Sequence, residues 1–224
     1  MKISRNSASA TIFISAIYAF LLVLLFVSTV TNIDYAPWTY NLISFIIMGC
    51  LSWLIIFIVG LLKNFNEKKI IANAFVIYLV ISWIQFIAVY VYQSIPYSLK
   101  LAIIFSATTS TIGVIVTIYL AIITFLIKNS DIKLPLLLFV LSKIAVILFY
   151  SALPRLFSYL AEDFSLFTNL NFLKYMGYSE IIIPLFGIYI CKTTLNLLSK
   201  SQNFGTTHYQ HFLKPDQPGE NSTL

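Results

Sequence analysis

Continuous apolar runs of more than 18 residues recur along the chain, and they constrain the fold more than any other feature of the sequence. Apolar residues make up 59% of the chain and charged residues 10%, whereas soluble domains average about 25% charged residues. A soluble fold of 224 residues would have to expose much of this apolar surface to water. The sequence therefore predicts an all-α, polytopic helical membrane protein.

Polar and proline-containing breaks divide the apolar sequence into six predicted membrane spans. Each span is long enough to cross about 30 Å of hydrocarbon at ~1.5 Å per residue. Most of the breaks are short, so neighbouring spans are expected to pack as antiparallel hairpins. The predicted spans are residues 8–30, 41–62, 70–93, 104–127, 134–154 and 179–199, and the polar residues 201–224 are predicted to form a disordered cytoplasmic tail.

Lysine and arginine residues are distributed unevenly between the two sides of such a bundle. With the N-terminus in the cytoplasm, ten lie on or near the cytoplasmic side and three on the other side. Positively charged loops usually face the cytoplasm, so both termini are predicted to be cytoplasmic. The net charge of +6 is then a topology signal and not a nucleic-acid-binding surface. The ten are Lys2, Arg5, Lys63, Lys68, Lys69, Lys128, Lys133, Lys192, Lys200 and Lys214; the three are Lys100, Arg155 and Lys174.

Lys143 lies near the middle of the fifth predicted span, where a charge costs roughly 2.5–3.5 kcal/mol on insertion scales. Its side chain could snorkel to the interface, form structural hydrogen bonds inside the bundle, or line a functional cavity. Antiparallel folding about the preceding loop places Lys143 level with Thr117 of the fourth span, whose polar face also carries Ser110. Glu180, at the edge of the last span, is expected near the outer face and too far away for direct pairing. These four residues form the candidate intramembrane polar site.

Small residues follow one face of the fourth span at steps of three or four. In lipid, small residues allow helices to approach closely, so this face is predicted to be a helix-packing seam, with a polar stripe lining a water path or substrate groove as the alternative. The seam consists of Ser106, Ser110, Gly113, Thr117, Ala121 and Thr124, and the first span carries a shorter version in Ala8, Thr11, Ser15 and Ala19.

Residue combinations that support enzymatic chemistry are missing from the predicted spans, which contain no aspartate pair and no histidine cluster. His208 and His211 have a spacing that is weak evidence for a metal site, and Cys50 and Cys191 lie in apolar runs as expected for inert, buried thiols. We therefore expect a protein without catalytic activity, cofactor or metal.

The second half of the chain combines a small-residue span (110–127), a short turn with Asp131-Ile132-Lys133 before an apolar span, and Ala152-Leu153-Pro154 at the end of that span. A last span follows, with Gly187 and a basic end at Lys200. In these features residues 105–200 resemble the bacterial Yip1 family of small multispan membrane proteins. The resemblance implies a role in membrane organisation or trafficking and assigns no catalytic residue.

Two functional hypotheses remain open at this point. The first is a scaffold or accessory protein of the bacterial inner membrane, which packs against other membrane proteins or forms a homo-oligomer. The second is a permease subunit, either of an ABC-2-type exporter or of a small-solute carrier. Both have the lipid bilayer as their surroundings, and neither involves nucleic acid.

Overall fold

The computed structural model describes residues 3–31, 36–93, 99–160 and 176–212. Within these ranges the chain forms six α-helices, one short 3₁₀ helix and no β-strand, so the predicted all-α class is confirmed. The helices are α1 (Arg5–Thr31), α2 (Pro37–Asn64), α3 (Lys69–Gln93), α4 (Leu99–Thr124), α5 (Ser130–Leu160) and α6 (Ile182–Phe212). The 3₁₀ helix (Met176–Ile181) leads directly into α6.

Five segments of these helices are long and apolar enough to cross a membrane: Arg5–Thr29, Pro37–Asn64, Lys69–Tyr92, Ala107–Thr124 and Ser179–Ser199. The remaining long helix, α5, carries Asp131, Lys133 and Lys143 in its first half. Length and composition are therefore those of an integral membrane protein. A sixth span in α5 and a cytoplasmic location of both termini stay predictions.

The six helices pack in chain order and close into a ring. Each helix contacts the next one along the chain, and α6 returns to pack against α1. The α2–α3 pair shows the antiparallel arrangement: the Tyr90 hydroxyl donates to the Asn41 carbonyl, and the Trp83 indole donates to the Ser52 hydroxyl. The ring thus turns one face of every helix towards a shared interior.

Apolar side chains fill the interior and also cover the outside. Leu54 and Phe57 of α2 are 1% and 0% exposed, whereas Phe13 of α1 and Ile115 of α4 are 67% and 61% exposed. Large apolar side chains at this exposure would be unfavourable over a wide area in water but match lipid hydrocarbon. The outward faces therefore fit a membrane environment.

The C-terminal ends of α4, α5 and α6 differ from the predicted spans by three residues or more. α4 ends at Thr124 and not at residue 127. α5 continues through Pro154 to Leu160, which is possible because neighbouring groups in a bundle can satisfy the carbonyl that a proline leaves unpaired. α6 extends past residue 199 to Phe212, because a helix that already exists gains one hydrogen bond for each residue it adds. Helix α6 thus covers the first part of the tail, whose disorder stays a prediction, and residues 213–224 lie outside the described residues.

Asn66 shapes the turn between α2 and α3. It adopts a left-handed conformation, with φ of 53°, which asparagine tolerates better than most residues. Its N–H donates to the Lys63 carbonyl, and the N–H of Glu67 donates to the Leu62 carbonyl. These two bonds form a Schellman motif, which ends α2 and directs Glu67 away from its axis.

Glu67 connects this turn to the start of α5. Its carboxylate accepts the backbone N–H groups of Lys128, at 3.1 Å and 3.2 Å, and of Asn129, at 2.8 Å. Asn129 in turn caps α5, since its side-chain oxygen accepts the N–H of Asp131 at 2.9 Å. The α2–α3 and α4–α5 turns, residues 65–68 and 125–129, therefore form one unit, which we name the turn end of the bundle.

Candidate functional site: an ionisable cluster around Lys143

Lys143 lies on the inward-facing side of α5. Phe139, one turn earlier, is 0% exposed, and Val146, one turn later, is 6% exposed. Residues three or four apart share a helix face, so the Lys143 side chain projects towards the interior of the ring. The residue as a whole is half-buried.

The Lys143 ammonium contacts Tyr78 of α3. Nζ lies 5.9 Å from the centre of the Tyr78 ring. A cation over an aromatic face contributes about 0.5–2 kcal/mol, the larger values applying when water is excluded. Tyr78 is only 8% exposed, so this contact takes place inside the bundle.

Two further groups interact electrostatically with the ammonium: the Tyr18 hydroxyl of α1 and the Glu180 carboxylate of the 3₁₀ helix. Tyr18 is 3% exposed and is close enough to interact with Glu180, Tyr78 and Cys50 of α2 as well. We refer to Lys143, Tyr78, Tyr18 and Glu180 as the Lys143 cluster. Its members come from α1, α3, α5 and the 3₁₀ helix, so the cluster exists only because the ring closes.

The cluster reduces the free-energy cost of an intramembrane charge in two ways. The face of the Tyr78 ring replaces part of the hydration of the ammonium through the cation–π contact. The Glu180 carboxylate adds an opposite charge, whose attraction is stronger in a medium of low dielectric constant than in water. Lys143 is thus compensated by protein groups, an arrangement that is typical of functional charges in membrane proteins.

The 3₁₀ helix brings Glu180 to this position. It packs against α1, α5 and α6, and it ends just before α6 begins at Ile182. Pro184 is the third residue of α6, where backbone N–H groups lack a helical acceptor in any case, so the proline does not interrupt the helix. The sequence alone places Glu180 near the outer face, too far for direct pairing; in the structure its charge acts on the Lys143 ammonium.

Thr117, the neighbour that the loop length suggests for Lys143, uses its hydroxyl on its own helix. It donates to the Gly113 carbonyl at 2.7 Å, and the residue is 2% exposed. The described partners of Lys143 belong to other elements. Ser110, the fourth residue of the candidate polar site, lies on α4, but its side chain is outside the described residues, as is that of Ser106.

The rest of the small-residue seam faces the protein interior. Thr117, Ala121 and Thr124 are 2%, 7% and 0% exposed. Near Gly113, Gln85 of α3 reaches across and donates to the Thr109 carbonyl at 2.8 Å. The seam therefore packs within this chain over the part that the structure describes.

Sequence reasoning missed Tyr18 and Tyr78, although a periodic signal exists for both. Tyr18 follows Ala8, Thr11 and Ser15 at steps of three, four and three, and all four are buried. Tyr78 follows the buried Ile71, Ala74 and Phe75, which precede it by seven, four and three residues and so share its helix face. A search for polar residues that continue an inward-facing helix stripe would have found them.

Among the described residues no group of three or more histidine, cysteine, aspartate or glutamate residues is placed to hold a metal ion. Comparison with protein-family models, with curated proteins and with solved structures finds no match to this chain. The resemblance to the Yip1 family stays a prediction, and function has to be argued from the Lys143 cluster itself.

Proposed function

We propose that this integral membrane protein is a small-solute carrier or permease subunit, and that the Lys143 cluster is its solute-binding site. The observation that carries the proposal is the inward orientation of Lys143, with Tyr78, Tyr18 and Glu180 around it. Ionisable residues inside a membrane are expensive, and those that face a bundle interior commonly belong to substrate or ion pathways. We further propose a bacterial cell membrane as its location, with both termini in the cytoplasm.

The composition of the Lys143 cluster supports a carrier over a purely structural role. Replacing buried ionic groups by apolar residues often leaves the stability of a protein unchanged or raises it, so bundle stability alone does not account for Lys143. An ammonium, a carboxylate and two tyrosine side chains from four elements can instead interact with the polar groups of a solute.

The scaffold hypothesis depends on small-residue surfaces that remain free for other membrane proteins. Thr117, Ala121 and Thr124 are buried within the chain, so this part of the seam is not available to a partner. The permease hypothesis does not require a free small-residue surface. It is therefore compatible with the burial of Thr117, Ala121 and Thr124.

The proposal is tested by placing a cysteine at position 143 and measuring its reaction with a membrane-impermeant, charged thiol reagent. The background is Cys50→Ala/Cys191→Ala, since both native thiols are buried. In open membrane fragments, which expose both faces to the reagent, the thiol of Lys143→Cys should react, because a charged reagent reaches only thiols that meet water. Leu141→Cys, on the exposed side of the same helix, should not react, because it faces lipid.

Lys63→Cys, in an exposed position at the turn end, serves as the positive control for reagent activity. If Lys143→Cys is as unreactive as Leu141→Cys while Lys63→Cys is labelled, the interior is dry and the carrier proposal fails. The scaffold hypothesis would then be the better explanation of the fold.

A further inference from the structure

Five lysines lie in or beside the turn end of the bundle. Lys68 and Lys128 belong to the two turns themselves, whereas Lys63 is in the last turn of α2, Lys69 is the first residue of α3 and Lys133 is in the first turn of α5. Lys63, Lys68, Lys69 and Lys128 are exposed, and Lys133 is half-buried. Only two carboxylates, Glu67 and Asp131, lie in the same stretches of chain.

Glu67 holds this basic surface together without pairing its carboxylate with the lysine side chains. Its two oxygens accept the backbone N–H groups of Lys128 and Asn129. Because those bonds connect the two turns, the backbone at Lys68 and the backbone at Lys128 belong to one hydrogen-bonded unit. Lysines carried by connected turns approach an anion with a smaller loss of backbone freedom than lysines on independent loops.

Exposed apolar side chains lie directly beside the lysines. Phe125 and Leu126, in the α4–α5 turn, are 54% and 46% exposed, Ile70 at the start of α3 is 48% exposed, and Leu134 at the start of α5 is 54% exposed. A soluble phosphate ion has no apolar part that could contact these side chains. A phospholipid has both parts that match it: an anionic headgroup for the lysines, and acyl chains for the apolar side chains next to them.

We propose that the turn end is a binding site for an anionic phospholipid, with the headgroup phosphate between the Lys68 and Lys128 ammonium groups and the acyl chains against Phe125, Leu126 and Ile70. Basic clusters at the ends of membrane helices recognise anionic headgroups by this combination of charge and depth. The site is separate from the Lys143 cluster, and its existence does not depend on the carrier proposal.

The test measures lipid binding to the full-length protein in detergent by native mass spectrometry, with phosphatidylglycerol and phosphatidylcholine as probes. We expect the wild-type protein to retain phosphatidylglycerol preferentially. A lysine near an anionic headgroup contributes roughly fivefold in affinity, so Lys68→Gln/Lys128→Gln should weaken phosphatidylglycerol binding about 25-fold and leave phosphatidylcholine binding unchanged.

Arg5→Gln/Lys192→Gln is the matched control, because it removes the same charge from two exposed positions outside the turn end. It should retain wild-type affinity. Equal losses in the two double variants, or equal retention of the two lipids by the wild type, would show a general charge effect and overturn the proposal. Full displacement of phosphatidylglycerol by soluble glycerol phosphate at an equal concentration would also overturn it, since the site would then recognise phosphate without the acyl chains.

Discussion

Gly187 of α6 lies close against α1 and α2, and substituting this residue tests the ring closure. A Cβ atom added there would lie 2.9 Å and 3.2 Å from the two Cδ atoms of Leu54 and 3.0 Å from Ser15 Oγ. Leu54 of α2 and Ser15 of α1 are each 1% exposed, so neither has free space to move into. Gly187→Ala should therefore force α6 away from α1 and α2.

The expected magnitude follows from two opposing effects. Overpacking a well-packed interior costs typically about 1–3 kcal/mol, whereas alanine gains up to ~1 kcal/mol over glycine from its higher helix propensity. Gly49→Ala in α2 separates the two effects, because no atom lies within 4 Å of its added Cβ. The difference between the two variants should therefore equal the overpacking cost alone.

The assay is thermal unfolding of the purified variants in detergent. A change of 1 kcal/mol shifts the Tm of a chain of this size by roughly 2–4 °C. We expect Gly187→Ala to unfold roughly 2–12 °C below Gly49→Ala, and Ser15→Ala to restore part of the loss by removing one of the three close contacts. Equal Tm values for Gly187→Ala and Gly49→Ala would refute the described contact of α6 with α1 and α2.

Two further predictions concern the turn end. Asn66→Val should destabilise the protein by about 1–2 kcal/mol, because a β-branched residue disfavours the left-handed conformation. Asn66→Gly should leave the stability unchanged or raise it. Identical Tm values for these two variants would contradict the Schellman motif. Glu67→Ala should cost about 1 kcal/mol, since it leaves the N–H groups of Lys128 and Asn129 without a carboxylate acceptor. Glu67→Gln should recover part of the lost stability, because an amide oxygen can still accept a hydrogen bond. If the Tm of Glu67→Gln equalled that of Glu67→Ala, the stabilisation would come from the charge of the carboxylate and not from its hydrogen bonds.

The apolar runs predict the helices well because continuous hydrophobicity over about 20 residues allows few other structures. They do not predict the partner to which α6 returns. The packing of α6 against α1 depends on particular contacts, such as the close approach that the lack of a side chain at Gly187 allows. The sequence alone does not predict these contacts, because they depend on how α1 and α2 are arranged. The extension of α5 beyond Pro154 was missed for a related reason: a proline signals a helix end only when no neighbouring group compensates for it.

The candidate site, like the fold, could be predicted only in part from the sequence. Lys143 stands out in the sequence because a charge is rare in an apolar run, and its inward orientation agrees with the buried positions at Phe139 and Val146. Its neighbours could not be deduced from loop length, which suggests only the adjacent helix α4. Tyr18 and Tyr78 reach Lys143 because the ring brings α1 and α3 towards α5, which is a property of tertiary packing.

Contact with the Tyr78 ring holds the Lys143 ammonium inside the bundle. A double-mutant cycle of Lys143→Leu and Tyr78→Leu, followed by thermal unfolding, tests this contact most directly. If the contact exists, the two changes should be non-additive by about 0.5–2 kcal/mol, as expected for a cation over an aromatic ring. Tyr90→Phe, whose hydroxyl contacts Asn41, should combine additively with Lys143→Leu. Additive effects for Lys143 and Tyr78 as well would contradict the account, because Lys143 would then point to lipid or to the interface.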